Sequence, residues 1–272
     1  MEGSREGGRA PNGDVATPAD VPGGNRKDGS AAAPAPDPDP LLAALERRGA
    51  WFLVRRAYRR VRMTSSLLLD ELLGVETTPV DDVLSPHRPA GWLTLWRVFR
   101  RLHRTADGGV VLDVGSGAGR AVLMASMFPF RRVIGLELLE LMHRLAGDNL
   151  GRFRLHRRAE VQLVLGDASR YEMPDDVTAV FLYNSFGGTT FARWTERLFD
   201  SLDRSPRRLT IAYLNPVEHE YLLRTGRCRL VGRFRGLRPS ARWARTLATH
   251  FYEVRPSQPL ERDAAGGAVR AG

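Results

Sequence analysis

Short apolar segments alternate with amphipathic ones from residue 109 to about residue 254, and this alternation limits the possible folds most strongly. Segments rich in β-branched and aromatic residues predict seven strands, at 110–114, 132–137, 161–165, 177–183, 208–214, 227–236 and 243–254. Helices are predicted over 118–127, from the end of the second strand to about residue 149, and over 191–202. Strand–helix alternation that ends in a strand pair predicts an α/β fold, a doubly wound, mainly parallel seven-stranded sheet with an antiparallel edge.

The segments around this domain differ from it in composition. Residues 1–40 are rich in Gly, Pro, Ala and Asp and have almost no large apolar side chain, so we expect a disordered tail. Residues 41–104 predict an N-terminal helical cap, with helices at 41–62 and about 90–104 around a loop near 74–86. The main domain is then expected at 105–257, followed by a flexible C-terminal tail at 258–272.

The chain is strongly basic, with a net charge of +10, and all but one of its 41 basic residues are arginines. Such a balance indicates either a polyanionic partner or an arginine-rich composition common to every protein of its source. The predicted helix at 41–62 concentrates arginines at positions 55, 56, 59, 60 and 62. We interpret them as the solvated face of a packed helix, ahead of a nucleic-acid or membrane surface.

Several classes of protein are excluded or disfavoured. A single cysteine, Cys228, excludes a disulfide framework and a cysteine-based zinc cluster. The six histidines show no metal-ligand spacing, so no metal site is predicted. No apolar run reaches the length of a membrane helix, about 18 residues, and the N-terminus lacks the apolar region of a secretory signal. We therefore expect a cytoplasmic protein without a membrane partner.

The strongest functional signal is the run VLDVGSGAGR at 111–120, where the first predicted strand ends and a helix begins. Ligands of open α/β sheets bind at such positions. Glycines at alternate positions let the backbone bend and approach a ligand closely. A dinucleotide fingerprint would require a third glycine where Arg120 stands. The carboxylate of Asp113 would repel a pyrophosphate and suits a cofactor that carries an ammonium group.

This run resembles motif I of the class I S-adenosylmethionine-dependent methyltransferases, and further features follow in that family's order. Glu137 ends the second strand 18 residues after Gly119, close to the spacing expected of an acid that binds ribose hydroxyls. LGDA at 165–168 is similar to the region of the adenine-binding acid, and LYNSFG at 182–187 to the motif IV region. The resemblance implies a Rossmann-like methyltransferase fold over about 70–255, S-adenosyl-L-methionine as cofactor, and cofactor contacts from Asp113, Gly115, Ser116, Gly117, Gly119, Glu137, Leu138, Asp167, Ala168 and Asn184.

The resemblance leaves the methyl acceptor open. LGVETT at 73–78, SPH at 85–87 and FPFRRVIG at 128–135 are similar to a group of bacterial class I methyltransferases of unassigned substrate. The motifs are also similar to the non-SET histone-lysine methyltransferases. Asn184 is the candidate catalytic residue, which either orients an acceptor amine or caps the following segment. Adenine- and glutamine-methylating relatives have a proline pair after this asparagine, and the present chain has Ser185 and Phe186.

The sequence thus predicts an enzyme that transfers a methyl group by attack of an acceptor on a sulfonium, a reaction that needs orientation more than a strong base. We expect the crevice to be framed by 74–79, 184–187 and 215–216, which contain no arginine cluster. A small molecule or a protein side chain is therefore the expected acceptor, ahead of nucleic acid. The alternatives are a nucleic-acid methyltransferase, a dinucleotide-dependent oxidoreductase and a non-catalytic polyanion-binding protein on the same fold.

Overall fold

A computed structural model of the protein describes residues 51–78, 89–236 and 248–257. The expected tails at 1–40 and 258–272, most of the expected loop at 74–86 and the start of the last expected strand lie outside these residues. The helices are α1 (Trp51–Leu73), α2 (Trp92–Thr105), α3 (Arg120–Ser126), α4 (Glu140–Arg152), α5 (Gly188–Arg204) and α6 (His219–Arg224). The strands are β1 (Val110–Val114), β2 (Arg132–Glu137), β3 (Glu160–Leu165), β4 (Val177–Tyr183), β5 (Leu209–Leu214), β6 (Cys228–Phe234) and β7 (Thr249–Val254).

The strands form one seven-stranded sheet in the order β3-β2-β1-β4-β5-β7-β6. The first five in this order run parallel, and β7 lies antiparallel between β5 and β6. The expected doubly wound, mainly parallel sheet of a Rossmann-like methyltransferase fold is thereby confirmed. The dinucleotide-binding order 3-2-1-4-5-6 has no such strand between the fifth and sixth positions. All parallel strands end at the same edge of the sheet, which we call the carboxyl edge.

Helices cover both faces of the sheet, and each face has its own core. On one face, Leu95 and Phe99 of α2 pack with Phe130 and Phe181. On the other face, Phe191 and Trp194 of α5 pack against the apolar side chains of β1, β4 and β5. Every residue of β1 is buried, as expected of a central parallel strand. This burial fixes the strand ends that carry the candidate site.

Most predicted elements are present, and the largest differences lie at helices. The strands β1, β2 and β4 begin and end at the predicted residues. Helix α1 extends to Leu73, past the end predicted at residue 62, because Asp70 and Leu73 are held by contacts with the main domain. Helix α6 was not predicted. Among the described residues, no helix has the length and apolar character needed to cross a membrane.

Candidate functional site

A cavity of about 450 Å³ opens at the carboxyl edge, beside the ends of β1, β2 and β4. Its volume lies within the range of ligand pockets, roughly 300–1,000 Å³. The cavity is lined by nine of the ten expected cofactor residues, Asp113, Gly115, Ser116, Gly117, Glu137, Leu138, Asp167, Ala168 and Asn184. Residues far apart in the sequence therefore meet at one site, as expected when the carboxyl ends of parallel strands share one edge of the sheet.

The turn after β1 is anchored by backbone hydrogen bonds to the neighbouring strand β2. The backbone N–H groups of Gly115 and Ser116 both donate to the carbonyl of Leu136, at 2.8 and 3.0 Å. Gly115 has a φ of +77°, and a Cβ there would lie 2.7 Å from the Cβ of Ser185. A side chain at this position would therefore be strained and would collide with the loop after β4.

The other two glycines of the turn serve different purposes. Gly117 has a φ of +54°, and a Cβ there would have no neighbouring atom within 4 Å, so bare backbone faces the cavity. Gly119 does not line the cavity but precedes α3, with a φ of +84°. A Cβ at Gly119 would lie 3.1 Å from the Cβ of Ala146, so this glycine allows α3 and α4 to pack closely.

Asp113 is the most perturbed group in the cavity. Its side chain lies near the end of β1, and the residue is only 3% exposed. Its Oδ2 atom is buried and accepts no hydrogen bond from the described residues. Desolvation by burial, and secondarily the negative charge of Glu137, raise the pKa of Asp113 to about 8. The cavity wall thus holds a carboxyl group that lacks a cationic partner among the residues described.

The acids after β2 and β3 are organised by backbone donors. Glu137 accepts hydrogen bonds from the N–H of Gly117 at 2.7 Å and from that of Leu139 at 2.9 Å, one at each carboxylate oxygen. Asp167 accepts from the N–H of Ser169 at 2.8 Å, and this bond holds the pKa of Asp167 below its usual value. Both carboxylates have further lone pairs available for a ligand.

Two asparagines follow the neighbouring strands β4 and β5. Asn184 and Asn215 both have a left-handed backbone, with φ of +49° and +55°. The side-chain N–H of Asn215 donates to Oδ1 of Asn184 at 2.6 Å. A second link joins the same loops, since the N–H of Gly188 donates to Glu218 at 2.8 Å. The predicted rim segments at 184–187 and 215–216 therefore form one connected wall.

A buried ion pair beside the cavity was missed by the sequence analysis. The guanidinium of Arg120, which also lines the cavity, lies 2.8 Å from Asp70 of α1, and both side chains are at most 6% exposed. Arg120 also donates to Thr77 at 2.6 Å, and Asp70 accepts from the indole N–H of Trp92 at 2.8 Å. The available signal in the sequence was Arg120 at the position of the third glycine of a dinucleotide fingerprint, but its partner Asp70 lies 50 residues away.

Two of the six histidines, His219 and His250, form a small cluster around the hydroxyl of Tyr252. The Nδ1 atoms of His219 and His250 lie 2.7 and 3.2 Å from the hydroxyl of Tyr252. Burial lowers the pKa of both histidines, that of His250 to about 4. His219, which sequence reasoning considered as a base, does not line the cavity. Among the described residues, no group of three or more His, Cys, Asp or Glu side chains is arranged to hold a metal ion.

Comparisons with known proteins identify distant structural resemblances. The chain matches no protein-family model and no curated protein. The Pyrococcus horikoshii protein PH1948, described as a putative RNA methyltransferase, is 14% identical, with a TM-score of 0.47 over 67% of this chain and 94% of that one. Precorrin-6y C5,15-methyltransferase from Geobacter metallireducens is 19% identical, with a TM-score of 0.42 over 66% and 94%. A tRNA (uracil-54, C5)-methyltransferase from Pyrococcus abyssi is 16% identical, with a TM-score of 0.41 over 58% and 37%. Because these sequence identities and TM-scores are low, we assign the fold from the order of the strands in the sheet.

Proposed function

We propose that the protein is an S-adenosyl-L-methionine-dependent methyltransferase. The observation that carries the proposal is the buried Asp113 carboxyl, whose Oδ2 faces no donor among the described residues. Leaving a buried polar atom without a partner costs about 1–3 kcal/mol. A ligand ammonium group would supply that partner and favour the ionised form of Asp113. S-adenosylmethionine carries an ammonium group in its methionine part.

The remaining cavity residues suit the other parts of the same molecule. Glu137 would accept hydrogen bonds from the ribose hydroxyls, and Asp167 from the amino group of adenine. The bare backbone at Gly117 would allow the ligand to lie against the turn. Glu137 and Asp167 also disfavour a polyphosphate, because like charges repel strongly in a partly desolvated cavity.

When bound, this cofactor supplies a methyl group activated by a sulfonium. The chain itself has to exclude water and orient the acceptor, so no acid–base pair is required. Asn184, Ser185, Phe186 and Thr190 line the side of the cavity next to the connected wall. These amide, hydroxyl and aromatic groups suit an uncharged acceptor, which occurs in small molecules, protein side chains and nucleobases. The cytoplasmic location expected from the sequence is part of this proposal.

The two rival functions fit the cavity less well. A nicotinamide dinucleotide would place its pyrophosphate near the turn, close to the carboxyls of Asp113 and Glu137. Arg120 offers little compensation, because its guanidinium is buried against Asp70. A non-catalytic polyanion-binding protein has no need for a glycine turn and three acids around one cavity.

Isothermal titration calorimetry with S-adenosylmethionine, S-adenosylhomocysteine and NAD⁺ tests the proposal. We expect one site per chain for the first two ligands and no binding of NAD⁺. The Asp113→Asn variant should bind both adenosyl ligands more weakly, whereas the exposed control Asp148→Asn on α4 should behave as the wild type. Binding of NAD⁺ alone, or of none of the three ligands, would contradict the proposal.

A further inference from the structure

Helix α2 and strand β6 carry an unbalanced positive charge. Helix α2 contains Arg97, Arg100, Arg101 and Arg104 and no acidic residue, and β6 with the residue after it contains Arg229, Arg233 and Arg235, again without an acid. Helix α5, in contrast, balances three arginines with three acidic residues. An arginine-rich genome would affect all surfaces alike, so it does not explain this difference.

The two elements meet on one face of the sheet, where Gly232 and Phe234 of β6 point toward α2, whereas Arg233 pairs with His250 of β7 on the opposite face. The Arg101 guanidinium crosses from α2 to β6 and donates to the carbonyl of Val231 at 3.2 Å. A Cβ at Gly232 would lie 2.2 Å from that guanidinium, so a glycine in the strand is required for the approach. The Arg101 guanidinium also lies 4.4 Å from the ring centroid of Phe251. Arg101 is therefore a structural residue, and its neighbours form the exposed surface.

The other arginines of this surface are available to a partner. None of the ion pairs formed within the described residues involves Arg97, Arg100 or Arg104, although the Arg97 guanidinium lies 5.2 Å from the ring centroid of Phe234. The Arg100 guanidinium lies 4.7 Å from the ring centroid of Trp96, which is 41% exposed. An exposed indole among arginines that lack a carboxylate partner is the combination on which single-stranded nucleic acids stack their bases. We call Trp96, Arg97, Arg100 and Arg104 the basic surface.

The basic surface extends to the mouth of the cavity. Leu95, next to Trp96 in α2, lines the cavity together with Ala90 just before the helix. Phosphates bound along this surface would therefore bring the attached bases close to the cavity.

We propose that the basic surface binds a single-stranded polynucleotide, with arginines on its phosphates and Trp96 against a base. Its position then favours a nucleobase as the methyl acceptor, a step that rests on the proposed methyltransferase function. The sequence analysis favoured other acceptors because it considered the arginines near 55–62 and the rim segments alone. The position of α2 beside the cavity becomes visible only in the folded chain.

Fluorescence anisotropy with a short labelled RNA of mixed sequence, measured across a range of salt concentrations, tests this surface. Removing one phosphate contact to a single strand reduces the slope of log K against log salt by about 0.7. The triple variant Arg97→Ala, Arg100→Ala, Arg104→Ala should therefore lower the slope by about 2. A matched triple variant of exposed arginines at the opposite, β3 edge of the sheet, Arg144→Ala, Arg157→Ala, Arg158→Ala, removes the same charge and should retain most of the binding.

The Trp96→Ala variant separates stacking from charge. It should weaken RNA binding about tenfold and leave the salt slope unchanged. Equal losses in the two triple variants would overturn the proposal, as would binding to phosphatidylserine vesicles that depends on these arginines while RNA does not bind. All variants should bind S-adenosylhomocysteine as the wild type does, and this titration distinguishes a failure of the surface from a failure of the cofactor site.

Discussion

The buried carboxyl of Asp113 should make the ligand-free protein less stable as the pH rises. Its pKa is about 8 in the folded chain, against an ordinary value of 3.8. Between these values the folded state holds a proton that the unfolded state has released, so a higher pH favours unfolding. The penalty is absent below the lower pKa and complete above the upper one. One such group changes stability by up to about 1.4 kcal/mol per pH unit.

The perturbation that isolates this effect is Asp113→Asn, which removes the ionisation and nearly preserves the volume. Between about pH 6 and pH 8 the wild type should lose about 2 kcal/mol of unfolding free energy relative to the variant. Taking the difference between the two proteins removes the opposite contribution of His219 and His250, whose pKa values are lowered. Urea denaturation at several pH values measures this difference directly.

A control variant and a measurement with bound ligand complete the experiment. The exposed Asp148→Asn variant should run parallel to the wild type at every pH. Saturating S-adenosylhomocysteine should flatten the pH dependence of the wild type, because an ammonium next to Asp113 favours its ionised form. A pH dependence that is identical in the wild type and Asp113→Asn would exclude Asp113 as the titrating group.

Three further predictions concern the framework of the site. Glu137→Ala should weaken S-adenosylhomocysteine binding roughly 10- to 100-fold in calorimetry, the scale of a lost charge-assisted hydrogen bond, and unchanged affinity would rule out a ribose-binding role. Gly115→Ala should lower the thermal midpoint by several degrees, because its Cβ would meet Ser185 at 2.7 Å, and a wild-type melting curve would contradict this. Asp70→Asn removes the carboxylate that pairs with the buried Arg120 and should cost about 3–5 kcal/mol of unfolding free energy in urea, whereas a loss below about 1 kcal/mol would show that the pair is not needed for folding.

The strands were the most predictable part of the fold. Strands β1, β2 and β4 are short, mainly apolar runs, so local pattern and burial agree. The carboxyl ends of parallel strands share one edge, and for this reason the sequence order placed Asp113, Glu137 and Asp167 together. Nine of the ten expected cofactor residues line the cavity, and their binding roles stay predictions.

Features that depend on long-range contacts were not predictable in the same way. The end of α1 is determined by the pairing of Asp70 with Arg120, 50 residues later, and no local pattern carries that information. The contact of Arg101 with Val231 spans 130 residues, so the joint between α2 and β6 was also missed. A glycine inside β6, Gly232, was the available signal for a close approach, but its partner could be identified only in the folded chain.

The role of Asp113 in cofactor binding is tested most sharply by comparing S-adenosylhomocysteine with its analogue that lacks the α-amino group, in the wild type and in Asp113→Asn. If Asp113 receives the ammonium group, removing that group should weaken binding to the wild type about tenfold or more. The same removal should change the affinity of Asp113→Asn by less than about threefold, so that the two changes are strongly coupled. Equal losses in both proteins would show that Asp113 does not hold the ammonium group of the cofactor.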